Sequence, residues 1–211
     1  MNEASSRLGW TLAALVTALL AWSLVHPRDL WTWFLEVAPI FIAAPILFAT
    51  RKRFPLTPLV MILIALHAAI LIVGAHYTYA EVPAGFWLRD ALGLARNHYD
   101  RLGHFAQGFV PAMIAREILL RKSPLVRGGW LFFLVTCVCL AISACYEFVE
   151  WWTALASGEG ATAFLGTQGD VWDTQWDMFM ACIGSLSAQL ALGRWHDRQL
   201  TRIKAAGPAQ G

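Results

Sequence analysis

Asn97-His98-Tyr99-Asp100-Arg101-Leu102-Gly103-His104-Phe105-Ala106-Gln107-Gly108-Phe109-Val110-Pro111 opens an apolar run on polar residues at helical spacing. Asp100, His104, Gln107 and Pro111 stand at i, i+4, i+7 and i+11, which is one face of a helix. The rest of the run, to Leu120, is long enough to cross a bilayer, whose core takes about 20 apolar residues. A membrane helix that carries an acid and a histidine on one face of its first turns is the pattern of a helix lining a polar cavity.

Three further stretches repeat that theme at the ends of apolar runs. They are Gly74-Ala75-His76-Tyr77-Thr78-Tyr79-Ala80-Glu81-Val82-Pro83, Tyr146-Glu147-Phe148-Val149-Glu150-Trp151-Trp152 and Gly169-Asp170-Val171-Trp172-Asp173-Thr174-Gln175-Trp176-Asp177. The chain is 58% hydrophobic, 13% aromatic and only 14% charged, the composition of an integral membrane protein. Its net charge of +2 gives no basis for nucleic-acid binding. The four cysteines, Cys137, Cys139, Cys145 and Cys182, sit inside apolar runs without CxxC spacing and read as small buried hydrophobes.

Six runs qualify as spans, at about 8–26, 30–49, 57–79, 101–120, 129–151 and 173–192. The first is read as a retained helix rather than a signal peptide, because further spans follow and no small-x-small cleavage site precedes a soluble domain. The segment around 80–100 reads as an interfacial loop with a short helix, Glu159 as a loop charge, and 205–211 as a disordered tail. Residues 1–204 form one integral membrane domain on this reading. With the N-terminus inside, the cytoplasmic segments hold Arg7, Arg51, Lys52, Arg53, Arg121, Lys122, Arg127, Arg194, Arg198, Arg202 and Lys204, with Arg116 just inside. The outer side holds only Arg28, Arg89, Arg96 and Arg101, so both termini are expected in the cytoplasm. Trp31, Trp33, Trp87, Trp151, Trp152, Trp172 and Trp176 then make an outer aromatic belt, with Trp130 and Trp195 on the inner face. The expected fold class is an all-α, polytopic membrane bundle of about six transmembrane helices.

That orientation brings the polar ends to one side. Ser143, Glu147 and Glu150 share a face of the fifth span. Asp173, Asp177, Ala181, Gly184 and Ala188 share a face of the sixth, turning small below the acids as close helix packing in lipid requires. An acid at a helix centre costs about 2.5–3.5 kcal/mol on insertion scales, and carboxylates crowded together repel. A divalent cation removes both penalties. His76, Asp100, His104, Glu147 and Asp177 are therefore the candidate metal ligands, with Glu150 and Asp173 as candidate catalytic acid–base groups. Carboxylate and imidazole donors suit Zn, Mn, Fe or Mg. Such an ion at the lipid–water boundary activates water and polarises a phosphoryl or acyl group, so the expected partners are membrane lipid and a lipid-linked or envelope-precursor substrate. Two other readings stand beside it. One is an ion or small-molecule transporter, although the inner halves of the spans show no matching relay. The other is a structural protein whose polar network only fixes helix packing. Asp100 and Asp173 also read as helix caps, Glu36 as a partner for backbone freed near Pro39, and Glu117 as a solvated interfacial acid.

At these residues the sequence resembles the YjdF family of small bacterial inner-membrane proteins. The phrases HYTYAEVP, NHYDRLGHFAQGFVPAMIAREILLR, YEFVEWW and FLGTQGDVWDTQWDM carry the resemblance over about residues 70 to 185. It implies a polytopic inner-membrane protein and supplies no activity. A looser likeness is to VanZ-like membrane proteins, which have an acid followed by HF, a later glutamate, and an acid before a small-residue helix. Asp100, His104, Phe105, Glu147, Asp177 and Gly184 follow that order, while Glu150 and Gln168 depart from its glutamine and arginine.

Overall fold

The computed structural model describes residues 3–157, 162–165 and 167–206, and it is helical, with no strand among them. The helices are α1 (Glu3–Ser23), α2 (Leu30–Thr50), α3 (Pro58–Tyr77), α4 (Pro83–Leu92), α5 (Tyr99–Lys122), α6 (Gly129–Ser157), the one-turn α7 (Thr162–Leu165) and α8 (Asp173–Ala206), with a 3-10 turn at Tyr79–Glu81. The six longest coincide with the six apolar runs. Four of these, α1, α2, α3 and α6, are long and apolar enough to cross a membrane by composition alone. Helices α5 and α8 are long enough but too polar to qualify. Their polar residues face inward, as described below. Helix α8 continues 14 residues beyond the expected end at 192. The position expected for Glu159, and 207–211 of the expected tail, lie outside the described residues.

Local chemistry sets the helix ends. Asp29 caps α2 by accepting the Thr32 N–H at 2.6 Å, and that bond holds its carboxyl below the usual range. Thr57 caps α3, and Pro58 occupies the first turn, where its missing N–H costs nothing. Helix α4 stops at Gly93, whose φ of +65° is the left-handed conformation that glycine adopts without penalty. Pro39 and Pro45 sit inside α2 without ending it.

Helix α3 is the spine: it packs on α1, α2 and α5. Beyond it, α5, α6 and α8 form a three-helix unit, with α5 against α8 the most extensive pairing. The main apolar cluster joins Leu59, Val60 and Leu63 of α3 to Val110 and Met113 of α5, Leu131, Val135 and Cys139 of α6, and Ala188 of α8. The α5–α8 seam is close. A Cβ on Gly108 would run into the backbone carbonyl of Ala181, and one on Gly184 into that of Phe105. Small residues let backbones approach in lipid, where there is no hydrophobic drive between helices.

Two expectations change here. Trp33 is not part of a surface belt: it is 6% exposed, packs with Val37, Ile72 and Ala75, and donates its indole N–H to Ser23 Oγ at 2.9 Å. The hydroxyl of Ser23 gives the indole a partner that lipid could not. The other eight tryptophans assigned to the two faces are exposed. Of the cysteines, Cys139 is buried and Cys182 half-buried, but Cys137 and Cys145 are exposed on the outside of α6; all four are free thiols.

Candidate metal centre

Helices α5, α6 and α8 each turn a polar face to a common point near one end of the bundle. The imidazole of His104 stands at the centre. Its Nε2 lies 3.6 Å from Asp100 Oδ1 and 3.9 Å from Asp177 Oδ2. Its Nδ1 lies 3.9 Å from Glu147 Oε1 and 3.2 Å from Gln107 Oε1. Asp100, His104, Glu147 and Asp177 are all buried, with Asp177 only 2% exposed. Two overlapping triads have ligand atoms within 4.8 Å of one another: Asp100, His104 and Asp177, and His104, Glu147 and Glu150.

The separations of His104 from the three carboxylates are too long for direct hydrogen bonds. Ligands about 2.1 Å from one cation stand about 3.0–3.4 Å apart in tetrahedral or octahedral geometry, so an ion would draw these groups together by a few tenths of an ångström. Asp100 Oδ2, Asp177 Oδ1 and Glu147 Oε1 are buried with no hydrogen-bond partner, as is Ser143 Oγ beneath them. Gln107 distinguishes the two triads. Its Oε1 can only accept, so the 3.2 Å contact places the proton on His104 Nδ1 and leaves the Nε2 lone pair for an ion with Asp100 and Asp177. That assignment takes the side-chain amide of Gln107 in the orientation described.

The surroundings hold this cluster in place. Tyr79 fits between α3 and α5 because Gly74 and Gly103 leave room for its ring, where a Cβ would collide. Its phenol reaches the Glu36 carboxylate, which is 4% exposed, so Glu36 joins the polar interior rather than serving a kinked backbone. Phe164 of α7 packs at 6.4 Å from Tyr146, whose ring lies 6.2 Å from that of His104.

Above the cluster lies an ion-pair lattice. Arg96 Nη2 donates to Asp173 Oδ1 at 2.7 Å, and Arg101 Nη2 to Asp170 Oδ2 at 2.6 Å. The cross-contacts are 3.7 Å from Arg96 to Asp170 and 3.5 Å from Arg101 to Asp173. Asp173, expected as an acid–base group, is thus held by two guanidiniums. Asp170 is held below the usual carboxylate range, first by the Trp172 N–H and then by Arg101. His98 is lowered by burial and by the charges of Arg101 and Arg96. Gln168 clasps the backbone of Asn97 through both ends of its amide, at 3.2 and 2.8 Å, so the loop before α8 is tied to the loop before α5.

His76 stands apart from the other expected ligands. Its Nδ1 meets the Ser23 carbonyl at 3.0 Å, and its ring lies 4.4 Å from that of Trp22. It joins α1 to α3 and belongs to neither triad. Glu150 is half-buried on the rim of the second triad.

A second polar network occupies the opposite end, built round Glu117, which in sequence alone reads as a solvated interfacial acid. Glu117 is fully buried and accepts from Thr57 Oγ1 at 2.7 Å, Arg121 Nη1 at 2.6 Å and His196 Nε2 at 3.0 Å. Arg116 Nη1 meets His196 Nδ1 at 3.1 Å while its Nη2 donates to Asp197 at 2.7 Å. An arginine can only donate, so His196 Nδ1 is the acceptor and Nε2 carries the proton toward Glu117. The inner halves of the spans are therefore not devoid of ionisable groups. The close α5–α8 seam lies between the two networks.

Residues 8–198 match the family described as Predicted membrane protein (DUF2238). The chain is 55% identical over 193 residues to the inner membrane protein YjdF of Escherichia coli (strain K12), covering 92% of each chain. No solved structure matches.

Proposed function

The chain belongs to the DUF2238 family of multi-pass inner-membrane proteins, and from that premise we propose that its outer end binds a divalent metal ion through Asp100, His104 and Asp177. The observation that carries this reading is the convergence of Asp100 Oδ1 and Asp177 Oδ2 on His104 Nε2, at 3.6 and 3.9 Å, in buried carboxylates whose other oxygens, Asp100 Oδ2 and Asp177 Oδ1, have no hydrogen-bond partner. Without a cation each such oxygen bears an uncompensated desolvation cost of about 1–3 kcal/mol or more. With one, Asp100 and Asp177 would become ligands together with His104 Nε2; the ion would supply an activated water, and Glu147, on the Nδ1 side of His104, and Glu150 would be the carboxyls available to take up or give a proton. Zn, Mn, Fe and Mg suit the donor set. The site then serves chemistry on a lipid or envelope precursor.

The test is element analysis of protein purified in mild detergent, without chelator or an affinity histidine tag. About one ion per chain is expected, falling to background in His104→Ala and Asp177→Asn. Added metal at 100 times its Kd should stabilise the wild type by about 2.7 kcal/mol by mass action. The carboxylates and Nε2 bind only when deprotonated, so occupancy should fall as the medium is acidified. Absence of stoichiometric metal, together with equal or higher stability of Glu147→Gln, would instead make the cluster a proton-sharing structural network. A transport role is not favoured, because the α5–α8 seam leaves no room for a polar path along that interface.

Six spans with both termini in the cytoplasm complete the proposal. The bias of Lys and Arg supports it, and the inward polar faces of α5 and α8 account for their low apolarity. In a cysteine-free background, an impermeant thiol reagent should label Ser157→Cys from outside intact cells and leave Ser123→Cys untouched. The reverse pattern would turn the site toward the cytoplasm.

A further inference from the structure

The ion-pair lattice above the proposed metal holds two donors in reserve, Arg96 Nε and Arg101 Nε, and the second faces the metal ligands. We infer that Arg101, with Arg96 behind it, receives the phosphodiester of an outer-leaflet phospholipid headgroup against the metal at Asp100, His104 and Asp177. The inference rests on the metal reading above and names the ligand that such a site would take.

Geometry leads to it. The guanidinium of Arg101 is held by Nη2 on Asp170 and by the Trp176 ring, 5.0 Å from Cζ to the ring centroid. Its Nε is buried with no partner and faces Asp177 Oδ1, also unpartnered, at 3.9 Å. A complementary pair of buried atoms left apart is unstable unless something joins them. An ion bound by Asp177 supplies one half of the link. An anion with one oxygen on that ion and another accepting from Arg101 Nε supplies the other, the bidentate recognition for which phosphoryl oxygens are suited.

Charge selects the class of anion. Arg96 and Arg101 are offset by Asp170 and Asp173, and a divalent ion by Asp100 and Asp177. Little positive charge remains, and Glu147 and Glu150 stand nearby, so a singly charged phosphodiester is favoured over a doubly charged monoester. The lipid source follows from α8. Trp172, just before α8, and Trp176 and Phe179 on it stand at i, i+4 and i+7, all exposed, and Trp176 lies against Arg101, so the strip passes beside the guanidinium. An acyl chain would lie on that strip while its headgroup reaches the arginine.

The experiment uses the full chain in detergent loaded with Mn2+, with ion content measured first. Two probes are titrated separately: dihexanoyl-phosphatidylglycerol and soluble dimethyl phosphate. Protein-bound Mn2+ should enhance 31P relaxation of the lipid probe saturably, with dimethyl phosphate competing weakly. Arg101→Lys keeps a charge for Asp170 and should retain Mn2+, yet lose at least about tenfold in lipid affinity, the equivalent of one directed charge-assisted hydrogen bond. Bound Mn2+ with no saturable relaxation, or unchanged affinity in Arg101→Lys, overturns the inference while leaving the metal reading intact. No bound Mn2+ in the wild type overturns the metal reading, and this one with it. Dimethyl phosphate binding as tightly as the lipid keeps the phosphodiester and overturns the membrane source. Should Arg101→Lys fail to remain monodisperse, the wild-type relaxation decides alone.

Discussion

Gly108→Ala should lower the stability of this protein by about 3 kcal/mol, while Gly193→Ala in the same bundle should raise it by about 0.5–1 kcal/mol. One methyl group has opposite effects because of what it meets. At Gly108 it meets the backbone of Ala181, which cannot rotate away, so α5 and α8 must separate along their most extensive contact. At Gly193 nothing lies within 4 Å, and only the helix propensity of alanine remains. Thermal unfolding of both variants in one detergent measures the contrast. Equal effects would mean that the two helices do not meet backbone to backbone.

The second large effect is expected at the end of the bundle opposite His104. Glu117→Ala removes a carboxylate that satisfies Thr57, Arg121 and His196 together. Truncating one partner of a buried ion-pair network costs about 3–5 kcal/mol, because the remaining groups stay buried and unpaired. Replacing two polar members by apolar ones, Glu117→Leu with His196→Phe, should recover part of that loss. Denaturant titration of the single and double variants gives both numbers. A near-neutral Glu117→Ala would mean that the inner network is solvated, with water substituting for the carboxylate.

The helices and the inward faces of α5, α6 and α8 were legible in the sequence because both are periodic. Apolar length marks a span, and Asp100, His104 and Gln107 repeat at helical spacing. What stayed hidden has no period. Arg96 and Gln168 sit in loops, and their partners Asp173 and Asn97 are 77 and 71 positions away. His76 shared the expected depth of the other ligands, but depth does not give azimuth: its face of α3 turns to α1. His196 was missed because the sixth span was ended at 192, where the sequence turns polar. A signal was nonetheless present. Ser185, Gln189 and His196 stand at i, i+4 and i+11, so the buried stripe of α8 continues to the histidine. Glu117 looked solvated because an acid beside arginines near a helix end usually is; only the fold shows that Thr57, Arg121 and His196 reach it before water does.

The pairing of α5 with α8 also governs the order of events at the ribosome. At about 5–20 residues per second, the roughly 75 residues from the end of α5 to His196 take about 4 to 15 s to make. Throughout that interval α5 holds Asp100, His104, Arg116 and Glu117 with its main partner still unsynthesised. A nascent chain of this kind has to be sheltered, by the insertion machinery or by the membrane surface, until α8 arrives. The last helix therefore acts as a checkpoint: it brings Asp177 and His196 together, so neither the outer cluster nor the inner network exists in a half-made chain. If the outer cluster takes the proposed ion, loading would be deferred until synthesis is almost complete, and a truncated product would lack Asp177 as a ligand.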